Sequence, residues 1–260
     1  MEHAVVSRDE WLEARKAHLL HEKELTKLRD KLLEERRALP WVKIEENYVF
    51  ESADGPVTLS DLFDGRSQLI IQHFMLGPDW DEGCPGCSFG ADHITGALVH
   101  LENHDVSYVA VSRAPIERIQ RYHARMGWPF KWVSSYASNF NYDFNVSFTP
   151  EQLAAGPVLY NYREEALQGQ EQPGWSVFSK NERGEIFHTY STYARGNEEI
   201  ASTLMLLDMT PLGRNDGPAG NMSGWVRRHD AYDHQLVSHA PQPDLVPTVS
   251  GGSCGCGCEH

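Results

Sequence analysis

Gln68-Leu-Ile-Ile-Gln-His-Phe74 is an apolar run of strand length, Cys84-Pro85-Gly86-Cys87 follows it, and beyond Cys87 the residues Phe89, Ile94, Leu98 and Leu101 recur at helical spacing. A Cys-x-x-Cys pair therefore stands on a turn from a strand into a helix. The unpaired N–H groups and positive dipole end of a helix stabilise a thiolate, which is the form that attacks. Cys84, at the helix mouth, is the expected nucleophile. Cys87, one turn deeper, can close a disulfide with it and release whatever Cys84 has trapped. Asp79, Asp81 and Glu82 crowd the same loop, and like charge disfavours a thiolate, so a modest nucleophile is expected. Two other readings stand beside this one. The pair could be half of a zinc site, although no second pair of ligands occurs before the distant tail, or two unreactive thiols at a helix start.

The chain has 260 residues, enough to bury a full core, and one domain with extensions is expected. A formal net charge of -14 argues against nonspecific binding to nucleic acid or to an anionic membrane. No apolar run approaches the roughly 18 residues that span a bilayer, and the N-terminus is charged rather than signal-like, so the cytoplasm is the expected location. Of the five cysteines, two form the pair and three sit in the tail, which fits a reducing compartment better than a disulfide scaffold.

Ser7-Arg-Asp-Glu10 is a capping-box pattern, and no Gly or Pro follows until Pro40. Leu12, Leu19, Leu25, Leu28 and Leu32 make one apolar stripe among charges, predicting a long amphipathic helix over residues 1–40. Such a stripe either packs on its own body or pairs with a second copy, so a homodimer through this helix is one expectation. Trp41 to Phe50 reads as strand-like, and Thr58 to Phe63 as a short helical turn. After the pair and its helix, Val106 to Ser112 is a buried strand and Pro115 opens a helix to about Met126. Phe130 to Ser134 is a further strand. Ser135 to Phe148 carries Tyr136, Phe140, Tyr142, Phe144 and Phe148 without a clean period. That segment is either a loop pinned to the core by its rings or the wall of a substrate groove. Trp175–Phe178 and Glu185–Tyr190 predict a hairpin, and Glu198 to Leu207 a last helix.

The element string, strand-helix-strand-helix, then loop, then strand-strand-helix, is the thioredoxin order. It predicts an α/β fold: a thioredoxin-like central mixed sheet flanked by helices over residues 41–232, with a flexible, disordered tail over 233–260. Pro173 stands just before the first hairpin strand, where such a fold carries a cis-proline facing the cysteine pair. A cis bond there would shape the floor over Cys84, although trans is the commoner form of any X–Pro bond.

Several segments resemble a bacterial family of thioredoxin-like proteins catalogued as domain of unknown function, family 899. They include Leu39-Pro-Trp-Val42, His73-Phe-Met-Leu-Gly-Pro-Asp-Trp80 leading into Gly83-Cys-Pro-Gly-Cys-Ser88, Val111-Ser-Arg-Ala-Pro115, Phe187-His-Thr-Tyr-Ser-Thr-Tyr-Ala-Arg-Gly196 and Trp225-Val-Arg-Arg-His-Asp230. The resemblance runs from about residue 7 to about residue 232. It implies a thioredoxin-like fold and a thiol–disulfide role, and supplies no substrate. Gly90 stands where a larger aromatic residue is expected, leaving room beside the pair.

Trp80 is a candidate lid over the disulfide or a core residue. Arg113, just after a parallel strand, could offset the acidic loop, hold a carboxylate in a substrate groove, or make an ordinary ion pair. His73 reads as a core or hydrogen-bonded strand histidine. In the tail, Cys254, Cys256 and Cys258, spaced by glycines and followed by His260, could wrap Zn or Cu(I), exchange with the Cys84-Cys87 pair, or do neither. The leading expectation is a thiol–disulfide oxidoreductase acting on protein or small-molecule thiols and disulfides and requiring no cofactor. The alternatives are a metal-handling protein using the tail and a peroxiredoxin-like peroxidase, the latter lacking the Thr or Ser expected between Pro78 and Cys84.

Overall fold

The Ser7 hydroxyl accepts from the Glu10 N–H while the Glu10 carboxylate accepts from the Ser7 N–H, 2.9 Å. This capping box opens α1 (Arg8–Arg37) in a computed structural model that describes residues 3–218 and 220–232. None of the 30 residues of α1 is buried, and Leu25, Leu28 and Leu32 stay exposed along its apolar stripe. This helix and Leu39–Tyr232 fall in two separate compact units. The cysteine-rich tail lies outside the described residues.

The second unit runs β1 (Val42–Lys43), β2 (Val49–Ser52), β3 (Gly55–Thr58), β4 (Gln68–His73), α2 (Pro85–Asp92), α3 (Leu98–Asn103), β5 (Val106–Ser112) and α4 (Ile116–Met126). It continues with β6 (Lys131–Ser134), α5 (Phe140–Asp143), α6 (Pro150–Ala155), β7 (Val158–Tyr160), β8 (Arg163–Glu165), β9 (Gly174–Lys180), β10 (Ile186–Tyr193) and α7 (Ser202–Asp208). Eight strands form one sheet in the order β1-β10-β9-β4-β5-β6-β2-β3, while β7 and β8 pair separately. Strands β4, β5 and β6 are parallel, β9 runs antiparallel to β4, and β10 antiparallel to β9. The core β5-β4-β9-β10, with α2 following β4 and α7 following β10, is thioredoxin-like.

The central strands read as continuous apolar runs because both faces are covered. Leu69, Ile71, Val109 and Val111 point into one core, with Phe63, Phe140 and Phe178. Tyr108, Ala110 and Phe74 belong to the other, with Cys87 and Ala91 of α2 and Ile119 and Tyr122 of α4. The aromatic segment is pinned by its rings: Phe140, Phe144 and Phe148 are all buried.

Three elements differ from the sequence expectation. The helix expected through Leu101 breaks between His93 and Ala97, where Thr95-Gly96 interrupts it, and resumes as α3. The strand expected over Trp41 to Phe50 divides at the polar Glu45-Glu46-Asn47 into β1 and β2. The last helix starts as a 3-10 turn over Ala194–Ile200 and becomes α-helical only at Ser202. A Cβ on Gly196 would collide with Thr192 Oγ1, so this turn closes tightly against the end of β10.

Candidate functional site

Cys84 is the N-cap of α2, with Pro85 in the first turn, where a missing N–H costs nothing. Its own N–H donates to Met75 O at 3.0 Å, and its carbonyl accepts from the Ser88 N–H and hydroxyl, both at 2.9 Å. Cys84 is partly exposed and Cys87 buried, and both thiols are free. The Met75 N–H points at Cys87 Sγ, 3.5 Å away.

The Cys87 thiol donates to the Cys84 sulfur, which is the largest influence holding the Cys84 thiol down to about 6. Burial opposes the shift, and the N–H groups of Cys87 and Gly86 and the charge of Arg228 add to it. These are the terminal donors of a helix acting on an anion. Cys87 moves the other way: the bond it gives Cys84, burial, and the negative charge next to it all push its thiol up.

Asp81 and Glu82 of the acidic loop are paired with arginines beside the sulfur. Glu82 pairs with Arg125 and with Arg228 Nη1 at 2.9 Å, and Asp81 with Arg118 at 3.3 Å. Arg228 Nε also donates to Gly83 O at 3.0 Å, and Arg125 reaches Asp230 at 2.7 Å. The segment ending the described chain thus clamps the loop and sets a cation near Cys84. Gly83 permits this close fit, since a Cβ there would stand 2.5 Å from Phe74 and 2.7 Å from Tyr122. Arg228→Gln is expected to move the Cys84 titration up toward the ordinary thiol range, read as slower alkylation at pH 6, with Arg228→Lys partly restoring the rate. An unchanged alkylation profile would show that the guanidinium does not act on the sulfur.

Beside the pair lies a cavity of about 300 Å³, with Phe89, Trp175, Ala201, Leu204 and Met222 among its walls. Pro173 also lines it, but the Gln172–Pro173 bond is trans, not the cis form the topology suggested. The ordinary preference of about 0.5–1 kcal/mol for trans prevails. Gly90 borders the same space, as its size suggested.

Trp80 and Arg113 are not among the residues lining this cavity. The Trp80 indole folds over Gly77, where a Cβ would stand 3.1 Å from its nitrogen. Arg113 is held by Glu171 at 2.9 Å and lies 4.4 Å over the Tyr142 ring, so its charge is committed to the interior. His73 is buried and its Nε2 bonds Ser176 Oγ at 2.8 Å, while its ring stacks on Phe140 and Phe144. Burial lowers its pKa to about 3, leaving the imidazole neutral.

Sequence reading missed Arg125 and Arg228 as partners of the loop, and Ala201, Leu204 and Met222 as cavity walls. The motif Trp225-Val-Arg-Arg-His-Asp230 was visible, but its partner at Gly83 is 145 positions away in the chain.

The family described as "Bacterial protein of unknown function (DUF899)" matches residues 1–232. The chain belongs to this family. No curated protein matches the sequence. Among solved structures, a peroxiredoxin Q variant from Xanthomonas campestris is similar at 15% identity and TM-score 0.42, over 62% of this chain and 89% of that one. Peroxidoxin BcpB from Mycobacterium tuberculosis is similar at 12% identity and TM-score 0.42, over 64% and 98%. A hypothetical protein from Sinorhizobium meliloti follows at 12% identity and TM-score 0.37, over 58% and 70%. Among the described residues, no helix is long and apolar enough to cross a membrane.

Proposed function

We propose that this DUF899 protein is a thiol–disulfide oxidoreductase suited to the reducing cytoplasm. The observation that supports it most is a Cys84 sulfur held as a thiolate at a helix N-cap, open to a cavity, with a protonated Cys87 directly behind it. The Cys84 thiolate attacks one sulfur of a disulfide R–S–S–R′. A Cys84–S bond forms, the S–S bond breaks, and R′S⁻ leaves and takes a proton from water. Cys84 then carries no charge, so two of the influences that hold the Cys87 proton are gone. Cys87 gives up that proton and attacks Cys84 Sγ; the intramolecular disulfide forms and RSH departs. The substrate is reduced by two electrons, the pair is oxidised, and a reducing thiol or dithiol from another molecule restores it.

Cys87→Ser is expected to stop after the first exchange and accumulate a mixed disulfide, visible by mass as one substrate half per chain. The Cys84→Ser/Cys87→Ser protein should accumulate none. If neither protein forms an adduct, and the wild-type pair never interconverts between dithiol and disulfide, the reading fails.

A second reading is a peroxidase, and the small size of the cavity at Cys84 favours it over docking of a large substrate. The S–O bond would form as the O–O bond of a hydroperoxide breaks and the alkoxide leaves as alcohol. Cys87 would then displace water from the sulfenic acid. The absent Thr or Ser weighs against it, and peroxide consumption with a thiol donor decides it. Independently, we propose Cys254, Cys256, Cys258 and His260 as a soft ligand set for Zn or Cu(I). Equal metal stoichiometry in the full chain and in a chain cut after Asp244 would remove the tail as a site.

A further inference from the structure

The walls around Cys84 carry information about what reaches it. Phe89 and Trp175, with Ala201, Leu204 and Met222, make the cavity mostly hydrocarbon, and about 300 Å³ is the lower end of small-molecule sites. An extended peptide would need open main-chain groups beside the sulfur to hold it in register. Here those groups are spent internally. The Gln172 N–H donates to Val146 O at 2.8 Å, Pro173 has no N–H, and the Pro173 carbonyl accepts from Tyr160 OH at 2.8 Å. Gly174 is paired with His73 in the sheet. Gly90 keeps space open: a Cβ there would meet Gln72 Nε2 at 3.6 Å and Trp175 Cζ2 at 3.9 Å, ordinary contacts, so a longer side chain would extend into the cavity.

We infer that the disulfide reduced at Cys84 belongs to a small molecule with apolar substituents seated in this cavity, and not to a protein. This rests on the thiol–disulfide reading above and adds the substrate class to it. One arm of the disulfide fills the hydrocarbon pocket and presents its sulfur to Cys84. The other arm faces the opening and leaves as the first thiol.

The test uses the reduced full chain and a series of dialkyl disulfides from diethyl to dibutyl, with oxidised glutathione and insulin as polar and protein disulfides. Each second-order rate is divided by the rate of the same disulfide with free dithiothreitol, which removes intrinsic reactivity. The ratio should rise about fourfold for each methylene that enters the cavity. Glutathione disulfide and insulin should lag behind dibutyl disulfide. Gly90→Leu should flatten the rise, and Gly90→Ala, which the surrounding atoms accommodate, should flatten it partly. A ratio independent of chain length in the wild type, or insulin reacting as fast as dibutyl disulfide, overturns the inference. If that happens while Cys87→Ser still traps a mixed disulfide, the exchange reading stands and only the cavity assignment falls. If no disulfide of the set gives an adduct, both fall.

Discussion

Cys84→Ser is expected to reduce disulfide exchange to the rate of the reagents alone. A serine hydroxyl is not ionised near neutral pH, and Cys87 is buried with its thiol pushed up, so it stays protonated. In the wild type the same sulfur should show its titration directly. Alkylation should climb about tenfold per pH unit below 6, where the thiolate is the minor form, and level off above it. The pH dependence of stability follows with a definite sign. Folding lowers the Cys84 pKa from near 9 to about 6, so between those values the unfolded chain binds more protons than the folded one. The reduced protein therefore gains stability as pH rises from about 6 toward 9 and loses that contribution as pH falls through 6. Cys84→Ser should abolish this slope. An alkylation plateau reached only above pH 8, or substantial exchange in Cys84→Ser, would contradict the account of a Cys84 thiolate held by the Cys87 thiol and the N–H groups of the helix start.

The parts of this molecule legible in the sequence are those encoded locally. The capping box at Ser7 and Glu10, the apolar run of β4 and the Cys-x-x-Cys at a helix start each rest on residues within a few positions of one another. Parallel strands covered on both faces also announce themselves by their unbroken apolar runs. What the sequence hid is set by distant contacts. The acidity of the loop at Asp81 and Glu82 was visible, but the arginines that neutralise it come from α4 and from position 228. Arg113 looked like a group at a functional strand end, and only the fold brings Glu171 to it. The 3-10 turn over Ala194–Ile200 carries no periodic signal, yet it and α7 supply much of the cavity wall.

Arg113→Met is expected to destabilise the protein by about 3–5 kcal/mol near neutral pH, the usual cost of breaking one side of a buried ion pair. The Arg113 and Glu171 side chains are 12% and 4% exposed and stand 2.9 Å apart. Glu171 keeps a second bond, from Ser147 Oγ at 2.7 Å, which does not replace a cation. Burial already pushes the Glu171 carboxyl up against the pull of Ser147 and Arg113, and without the arginine it rises further. Its folded pKa then lies above the unfolded value of 4.5, so the variant is least penalised below that value, where the acid is protonated in both states. The penalty grows as pH rises through the folded pKa. Urea unfolding at pH 5 and pH 7.5 should therefore show a larger loss at the higher pH. Arg113→Met/Glu171→Leu should recover most of it, since removing both charges leaves none uncompensated. The consequence reaches the cavity because Glu171 bridges to Ser147 two residues before Pro173, which lines the space beside Cys84. A loss below about 1 kcal/mol at pH 7.5, the range of solvated surface pairs, would mean that water reaches this pair and that it does not hold the cavity wall in place.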